Sequence, residues 1–391
     1  MIPVDDALAA LFALATPLPT ENVPLIAASG RVLAQTVTAR RDQPPFAASA
    51  MDGYAVAGDA VRPGATFRVI GTAAAGHGFG GTARTGETVR IFTGAPLPAG
   101  ADRVVIQEDV DRVGDTITLN ARLDPAAHVR PKGADFTAGA AMTAPRLLTA
   151  ADIALLAAMN IAQVPVTRRP VVALIATGDE LVPPGDSPGP DQIIASNSYG
   201  LYAMLTALGA SPRLLPIARD NRAALEQVFA LTAGADMIVT SGGASVGDHD
   251  LVGAVAQDLG LERAFYKIAM RPGKPLMAGR LNGAAMVGLP GNPVSAMVCA
   301  TVFLAPMIRV MLGLPATPAP RRPLPLAAPL GANGPREHYM RAQVKDGSVT
   351  AFARQDSALL GVLAEANALL VRPPHDTARQ TGDLVAVIDL G

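Results

Sequence analysis

The segment 241–250, SGGASVGDHD, has the residue types of a turn that binds an anion together with a divalent cation. Its glycines permit positive φ angles and a close approach of the backbone to a ligand. Successive N–H groups ahead of a helix favour an anion, and aspartates could hold Mg²⁺ against a phosphate. The alternative is an ordinary turn with aspartate helix caps. The candidate ligands are Ser241, Gly242, Gly243, Ser245, Gly247, Asp248 and Asp250.

Three further polar turns follow apolar runs in the same part of the chain. The turn Thr177–Leu181, TGDEL, contains Asp179 and Glu180, which could be metal ligands, a general base or a solvated charged pair. Asp220 follows the run RLLPIAR and either joins such a site or caps the next helix. The turn Pro290–Pro293, PGNP, either contributes to the site or only starts a helix, with its second proline at the first helical position.

Cations are concentrated in residues 266–275, YKIAMRPGKP. Lys267, Arg271 and Lys274, held by a Pro-Gly turn, could clamp a phosphate or another oxyanion. A solvated hairpin is the alternative. Cys299 lies in an apolar run and is expected to be an inert core residue. Because the sequence has no second cysteine, it excludes an intramolecular disulfide and a metal site built from several thiolates.

Polar turns also occur in the N-terminal third of the chain. Asp52 lies in SAMDGYAV, Thr93 in IFTGAPLPAG and Asp135 in RPKGAD. Each is compatible with an ordinary turn that carries polar side chains. The sequence pattern by itself does not connect these residues with the polar turns of the central segment.

The elements that must position the central turns can be read from residues 170–312, where continuous apolar runs alternate with helical patterns. Such alternation predicts a doubly wound α/β domain, with a parallel sheet covered by helices on both faces. The polar turns then lie at the carboxyl edge of that sheet. Open α/β sheets bind ligands at this edge.

The flanking segments predict a split domain and two small β domains. Short apolar runs separated by Gly and Pro fill 40–136, and short strands follow the proline-rich stretch after Pro315. Helical patterns occupy 4–15 and 149–162, and Thr149 is the expected N-cap of the second. We therefore predict a multidomain protein of the α/β plus β class. The predicted domains are 1–39 plus 137–169 (split, helical and extended), 40–136 (inserted β domain), 170–315 (α/β domain) and 316–391 (C-terminal β domain).

Composition excludes several classes of partner. The 391-residue chain has a net charge of −1, 4% aromatic residues and no Trp, which argues against nucleic acid as the main ligand. The N-terminal helix pattern carries Asp5 and Asp6 instead of basic residues, so we expect no signal peptide. The most apolar stretch, Val294–Ile308, spans about 15 residues and is expected to be too short to cross a membrane. We expect a cytoplasmic protein without a membrane partner.

Seven motifs connect the chain with a known family. SAMDGYA, IFTGAPLPAGAD, RPKGAD, TGDEL, SGGASVGDHD, KIAMRPGKP and LPGNPVSA occur together in this order. In this the chain resembles the molybdopterin molybdenumtransferase family, which completes molybdenum cofactor assembly and is related to the gephyrin E domain. The resemblance extends from the N-terminus to about residue 312. It implies four domains per subunit, an elongated homodimer, and an α/β domain that resembles the molybdopterin adenylyltransferase acting one step earlier.

The resemblance also implies a reaction. Adenylylated molybdopterin and molybdate are the substrates, Mg²⁺ is the cofactor, and AMP is released as the metal enters the dithiolene. The implied site is shared between the α/β domain of one subunit and the β domain of the other, and contact with the adenylyltransferase is a further implied partnership.

Positions that match the family's motifs carry the implied roles. The implied catalytic residues are Glu180, Asp52, Thr93, Asp135, Lys267 and Arg271. The implied substrate-binding residues are Thr177, Gly178, Asp179, Ser241, Gly242, Gly243, Ser245, Gly247, Lys274, Pro290 and Asn292. The implied metal ligands are Asp220 and Asp250.

The chain departs from the family pattern in places. Arg271 stands where lysine is usual, and the segments 336–342 and 355–371 match only loosely. The sequence therefore does not support an anion-binding role for Arg341 or Ser357.

Two other functions stay open at this point. One alternative is a non-catalytic scaffold or carrier of molybdopterin, against which the presence of Glu180, Asp220 and Asp250 argues. The other is a molybdopterin adenylyltransferase, against which residues 1–136 argue, because that enzyme resembles only the α/β part.

Overall fold

The structure is a computed structural model that describes residues 1–242 and 251–390. Its helices are α1 Val4–Leu14, α2 Ala150–Ala158, α3 Asn197–Ala207, α4 Arg222–Ala230, α5 Leu251–Asp258, α6 Pro293–Cys299, α7 Ala305–Met311 and α8 Leu360–Glu365. The strands of the first half are β1 Thr20–Pro24, β2 Val32–Leu33, β3 Val37–Thr38, β4 Ala48–Ser49, β5 Gly53–Val56, β6 Thr66–Ala73, β7 Glu87–Ile91, β8 Arg103–Ile106, β9 Val110–Val113, β10 Thr116–Leu119, β11 Val129–Arg130, β12 Ala141–Met142, β13 Arg146–Leu147 and β14 Gln163–Thr167. Those of the second half are β15 Val171–Ala176, β16 Leu181–Val182, β17 Ile193–Ile194, β18 Ser211–Leu214, β19 Met237–Ser241, β20 Glu262–Tyr266, β21 Met270–Arg271, β22 Met277–Leu281, β23 Ala284–Leu289, β24 Arg322–Pro325, β25 Glu337–Lys345, β26 Ser348–Ala351, β27 Ala368–Arg372 and β28 Leu384–Asp389.

The contacts divide the chain into two compact units. The larger unit comprises Met1–Glu21, Gly30–Ala34 and Val166–Gly391, and the smaller unit comprises Asn22–Ser29 and Gln35–Pro165. The four-domain division made from the sequence stays a prediction.

The central sheet of the larger unit has the strand order β18-β15-β19-β23-β22-β20. The first four strands are parallel, as predicted. The prediction of a wholly parallel sheet is wrong towards the other edge, where β22 runs antiparallel to both of its neighbours, β23 and β20. The cause is a two-residue turn between β22 and β23, in which Asn282 and Gly283 both have positive φ angles (48° and 84°). Asn-Gly is the strongest short-range signal for such a hairpin, and the sequence shows it.

The core of the larger unit is built around one long helical segment. Helices α6 and α7 are joined through a π-helical turn, Ala300–Leu304, just before Pro306, whose ring lacks an N–H donor. The continuous helical segment Pro293–Met311 has 19 residues, so the expectation that this region is too short to cross a membrane is wrong on length alone. By length and composition alone it could cross a membrane, but 78% of its apolar window is buried inside the protein, as in a core helix.

The smaller unit contains a six-stranded sheet with the order β8-β5-β7-β6-β10-β9. Its two faces carry separate apolar clusters, one around Val89 and Ile91 and the other around Tyr54 and Ile117. Helix α2 begins at a capping box, as its sequence predicts, in which Thr149 Oγ1 accepts from the Asp152 N–H and Asp152 accepts from the Thr149 N–H.

The C-terminal residues of the larger unit form a sheet with the order β21-β25-β27-β28-β24, and β26 pairs with β25. Strand β21 comes from the cationic segment 266–275 and pairs in parallel with β25. The solvated-hairpin alternative for that segment is therefore wrong at Met270–Arg271, because these two residues form strand β21 and pair with β25 of the C-terminal sheet.

Candidate active site

The ends of three parallel strands of the larger unit lie side by side. Ala176 aligns with Ser241, Ser241 aligns with Leu289, and the Thr177 N–H donates to the Ser241 carbonyl at 3.1 Å. The predicted convergence of polar turns at this edge is thus observed. A cavity of about 650 Å³ opens there. The predicted site residues that line it are Thr177, Glu180, Ser241, Gly242, Pro290 and Asn292.

Two glycines in this cavity have positive φ angles, and at Gly242 a close backbone contact also excludes a side chain. Gly242 has φ = 93°, and a Cβ there would lie 2.4 Å from the Thr177 carbonyl oxygen. Gly178 has φ = 148°, and a Cβ there would lie 2.3 Å from Glu180 Oε2. The Glu180 carboxylate is therefore folded back over the backbone of Gly178, which holds it at the cavity wall.

Thr177 lines the cavity and has a buried hydroxyl. The residue is 1% exposed, and its Oγ1 has no hydrogen-bond partner in the described part of the chain. A buried hydroxyl without a partner is unfavourable, so a ligand that bonds to it recovers that free energy.

Two side-chain hydrogen bonds fix the Pro-Gly-Asn-Pro turn. Asn197 Nδ2 donates to the Gly291 carbonyl at 2.7 Å, and Asn292 Nδ2 donates to Ser357 Oγ at 2.9 Å. Pro293 occupies the first turn of α6, as predicted. The Ser357 carbonyl in turn accepts from the Val294 N–H at 3.1 Å. Ser357, for which the sequence supported no role, thus fixes the turn that lines the cavity.

Asp179 and Asp220 lie next to each other beside the cavity. Asp179 Oδ1 accepts from the Asp220 N–H at 3.2 Å. The capping alternative for Asp220 is wrong, since Asn221 is the N-cap of α4 and its side chain accepts from the Ala224 N–H at 2.9 Å. The Asp220 carboxylate makes no hydrogen bond or ion pair within residues 1–242 and 251–390. Nor do those residues contain a group of three or more His, Cys, Asp and Glu side chains arranged around a metal ion.

The three predicted cations are not part of the cavity wall in the part of the chain that the structure describes, although Pro275 is. Lys267 places its Nζ 5.0 Å from the centre of the Tyr266 ring. The Lys274 carbonyl accepts from the Ile268 N–H at 3.0 Å. Arg271 aligns with His338 of β25.

A cationic cluster around β25 was not found by sequence reasoning. Arg341 is 0% exposed, and its Nε and Nη1 have no partner among the described residues, while its Nη2 donates to the Asp356 carbonyl at 2.9 Å. Burial, and then the charge of Arg271, lower the pKa of Arg341. Burial together with the neighbouring arginines lowers the pKa of His338 to about 4, so this imidazole is neutral at pH 7. No carboxylate hydrogen-bonds to the Arg341 guanidinium in the described chain, although the nearby charge of Asp356 favours the cation without forming an ion pair.

In the smaller unit, Asp52 and Thr93 are joined as a pair. Asp52 Oδ1 accepts from the Thr93 N–H at 2.8 Å and from Thr93 Oγ1 at 2.9 Å. These bonds, and then the charge of Arg90, lower the pKa of Asp52. Asp135 lies on another loop, where its N–H donates to the Gln43 carbonyl at 2.9 Å. No hydrogen bond between described residues joins Asp135 to the pair.

Four predicted site residues fall outside the described residues. They are Gly243, Ser245, Gly247 and Asp250, and the same holds for Asp248. Cys299, in contrast, is described, and it is fully buried with a pKa raised by that burial, as expected of an inert core thiol.

Family models match three parts of the chain. Residues 2–160 match the MoeA N-terminal region (domain I and II), residues 173–310 match a probable molybdopterin binding domain, and residues 323–390 match the MoeA C-terminal region (domain IV). These matches cover nearly the whole sequence.

Curated relatives are similar over comparable lengths. The molybdopterin molybdenumtransferase of Nostoc sp. is 38% identical over 388 residues, which cover 95% of this chain and 89% of the relative. That of Bacillus subtilis is 32% identical, with 99% of this chain and 94% of the relative covered.

A solved structure shares the fold. The crystal structure of the molybdopterin biosynthesis MoeA protein from Pyrococcus horikoshii superposes with a TM-score of 0.84 at 29% identity, over 100% of this chain and 99% of that one. The multidomain architecture with mixed α/β sheets is thus common to both.

Proposed function

This chain belongs to the molybdopterin molybdenumtransferase family and is a transferase, and from that premise we propose that it inserts molybdenum from molybdate into adenylylated molybdopterin with release of AMP. The observation that carries the proposal is the cavity at the ends of β15, β19 and β23, whose wall includes Thr177 with a buried hydroxyl that has no partner among the described residues. Its size, about 650 Å³, is in the usual range for a small-molecule site.

The cavity suits the phosphate-bearing part of the substrate. Gly242 allows the backbone of the turn to approach a ligand closely, and the Thr177 hydroxyl can donate to a phosphate oxygen. Asn292, held by Ser357, fixes the opposite wall. We propose that further residues bind the same part of the substrate, namely Gly178, Ser241, Lys274 and Pro290, together with Gly243, Ser245 and Gly247.

The carboxylates beside the cavity fit Mg²⁺. This cation prefers oxygen ligands and is usually bound through one or two carboxylates together with substrate phosphates. Asp220, with Asp179 next to it, offers such oxygens, and we include Asp250 on the sequence pattern. Bound there, Mg²⁺ would neutralise charge on the phosphoric anhydride.

The cluster around β25 suits molybdate, which is a dianion. Arg341 has two unpartnered guanidinium nitrogens, and the charge of Arg271 reaches it. Because His338 is neutral at pH 7, it adds no further positive charge, and the arginines alone supply the charge of the cluster. We therefore revise the sequence-based view and assign Arg341 to oxyanion binding together with Arg271 and Lys267.

Glu180 is the residue that we assign to orient the reactants. Its carboxylate is held over Gly178 at the cavity wall, where it can accept a proton or direct a reactant towards the anhydride. No covalent nucleophile is needed, since positioning can supply much of the rate enhancement. We propose Asp52, Thr93 and Asp135 as groups that act in the same reaction from the smaller unit of a second subunit, in a cytoplasmic homodimer that also contacts the adenylyltransferase.

The test is molybdate-dependent AMP release from adenylylated molybdopterin and Mg²⁺. We expect Glu180→Gln to slow release by about 10²-fold or more. The exposed Glu262 of β20 supplies the control, because Glu262→Gln should act as wild type. Release by Glu180→Gln at the wild-type rate would remove Glu180 from the mechanism. Tight substrate binding by the wild type without any AMP release would favour the carrier alternative.

A further inference from the structure

An exposed aromatic ring lies beside the Asp52–Thr93 pair. Phe92 directly precedes Thr93 and is 38% exposed, although its neighbour Ile91 is fully buried. The partly exposed ring is accessible to a ligand, and the next residue along the chain, Thr93, binds the Asp52 carboxylate. We propose that Phe92 and Asp52 bind the pterin ring system of the substrate, an inference that rests on the proposed function.

The Phe92 ring is fixed from behind by a stacked guanidinium. Arg90 Cζ lies 4.9 Å from the centre of the Phe92 ring and 5.0 Å from that of Tyr54, so the cation contacts both rings. Arg90 Nη1 donates to the Gly53 carbonyl at 3.2 Å, and Nη2 donates to Gln107 Oε1 at 2.6 Å. A ring held in this way is a preorganised stacking surface for a flat heterocycle.

The hydrogen bonds of Asp52 leave one oxygen available. Thr93 fills both acceptor positions of Oδ1 with its N–H and its hydroxyl, and within the described chain Oδ2 accepts from no donor. Oδ2 therefore keeps two lone pairs for a ligand that offers adjacent N–H donors. The Thr93 bonds also fix the plane of the carboxylate, so the direction of this acceptor is set before the ligand arrives.

The pattern of donors favours a pterin over an adenine. A pterin presents its 2-amino group and the neighbouring ring N–H side by side, and both can donate to one carboxylate. The amino group of adenine is flanked by ring nitrogens that are acceptors, which a carboxylate repels. We therefore assign the surface formed by Phe92 and Asp52 to the pterin, and the AMP part of the substrate to other contacts.

The experiment measures the Kd of adenylylated molybdopterin and the Kd of AMP alone for the full chain and four variants. Phe92→Leu removes the π face but keeps an apolar side chain, and Asp52→Asn removes the anionic acceptor. Phe46→Leu is the matched control for the ring, since Phe46 is 41% exposed in the same unit and has no cation stacked on it among the described residues. Asp111→Asn, on the exposed strand β9, is the control for the carboxylate.

We expect Phe92→Leu and Asp52→Asn each to raise the Kd of adenylylated molybdopterin about tenfold, as for the loss of one stacking or charged hydrogen-bonding contact, and to leave the Kd of AMP unchanged. The control variants should bind both ligands as wild type does. Unchanged Kd values in Phe92→Leu and Asp52→Asn would overturn the inference and leave the proposed function standing. A higher Kd of AMP in Phe92→Leu or Asp52→Asn would instead show that the surface binds the adenine. Failure of the wild type to bind adenylylated molybdopterin would contradict the proposed function itself.

Discussion

At the scale of single residues, the most informative side chain is one whose charge the fold does not neutralise. Arg341 is buried, and in the described chain no carboxylate contacts its guanidinium. Other buried arginines of the larger unit have partners. Arg372, for example, pairs with Asp376. A buried guanidinium without an ion-pair partner destabilises the fold, and the proposed oxyanion would supply the missing negative charge.

We expect Arg341→Met to raise the free energy of unfolding by about 1 kcal/mol or more in the absence of ligand, because Met fills similar space without a charge. The same variant should raise the molybdate concentration needed for AMP release at least about tenfold, since the charged contact is lost. Urea unfolding and a molybdate titration measure the two effects. Arg354→Met, at an exposed position, is the control and should change neither. A destabilised Arg341→Met with unchanged molybdate dependence would contradict the assignment.

Gly242 makes a second residue-scale prediction. An alanine Cβ at this position meets the Thr177 carbonyl at 2.4 Å in addition to the strain of a positive φ. Gly234 also has a positive φ, of 75°, but open space around it. We expect Gly234→Ala to lower the free energy of unfolding by about 1 kcal/mol, and Gly242→Ala to lower it by about 1–3 kcal/mol more. Equal losses in urea unfolding would show that the close contact at Gly242 relaxes freely.

At the scale of elements, the turn after β27 is held by one carboxylate. Asp376 is 7% exposed and pairs with both Arg372 and Arg379. Its pKa is lowered first by Arg379 and then by Arg372. A depressed pKa means that the stabilisation is present above the unfolded-state value near 4 and is lost as the pH falls through the folded-state value.

We therefore expect Asp376→Asn to lower the free energy of unfolding at pH 7 by about 3 kcal/mol, because the buried Arg372 loses its partner. The difference from wild type should shrink as the pH is lowered below about 4, where the wild-type carboxyl also becomes protonated. Urea unfolding at a series of pH values measures this. Asp346→Asn is the control, because Asp346 is exposed in the turn between β25 and β26. A difference that is independent of pH would exclude the ion pairs as the cause.

The sequence predicted elements better than it predicted contacts between them. The apolar runs of β15, β19 and β23 and the cap of α2 are local signals, and the structure confirms them. The antiparallel strand β22 of the central sheet was missed, although Asn282-Gly283 is a local hairpin signal between β22 and β23. The burial of Arg341 has no local signal, because an arginine in a strand is usually exposed. It follows from the packing of β25 against residues 355–357, and sequence spacing does not report that packing.

At the scale of the whole molecule, the proposed site residues are divided between two compact units. Asp52 and Thr93 belong to the smaller unit, and Glu180 belongs to the larger unit. The proposed homodimer brings these groups together from different subunits. That proposal can be tested without any further structural information.

We expect Asp52→Asn and Glu180→Gln subunits, each inactive alone, to recover about a quarter of the wild-type AMP release when they are dissociated, mixed equally and reassociated. The reason is that half of the dimers are then mixed, and a mixed dimer has one intact site of two. Size-exclusion chromatography checks that the mixed subunits reassociate as dimers, and the AMP assay measures the recovered activity. Activity that stays at the level of the single variants would place both residues within one subunit's site and contradict the shared arrangement.

The burial of Arg341 has a consequence for the response to ionic strength. Dissolved ions screen exposed charges over a Debye length of about 8 Å at physiological salt, but they screen a charge enclosed by protein much less. Arg271 is exposed and Arg341 is not. Oxyanion binding through Arg341 should therefore weaken only slightly as the concentration of potassium chloride is raised. The electrostatic attraction of the oxyanion by Arg271 should weaken strongly over the same range. The proposed binding of a dilute dianion through Arg341 would in this way persist in a medium that contains much chloride and phosphate.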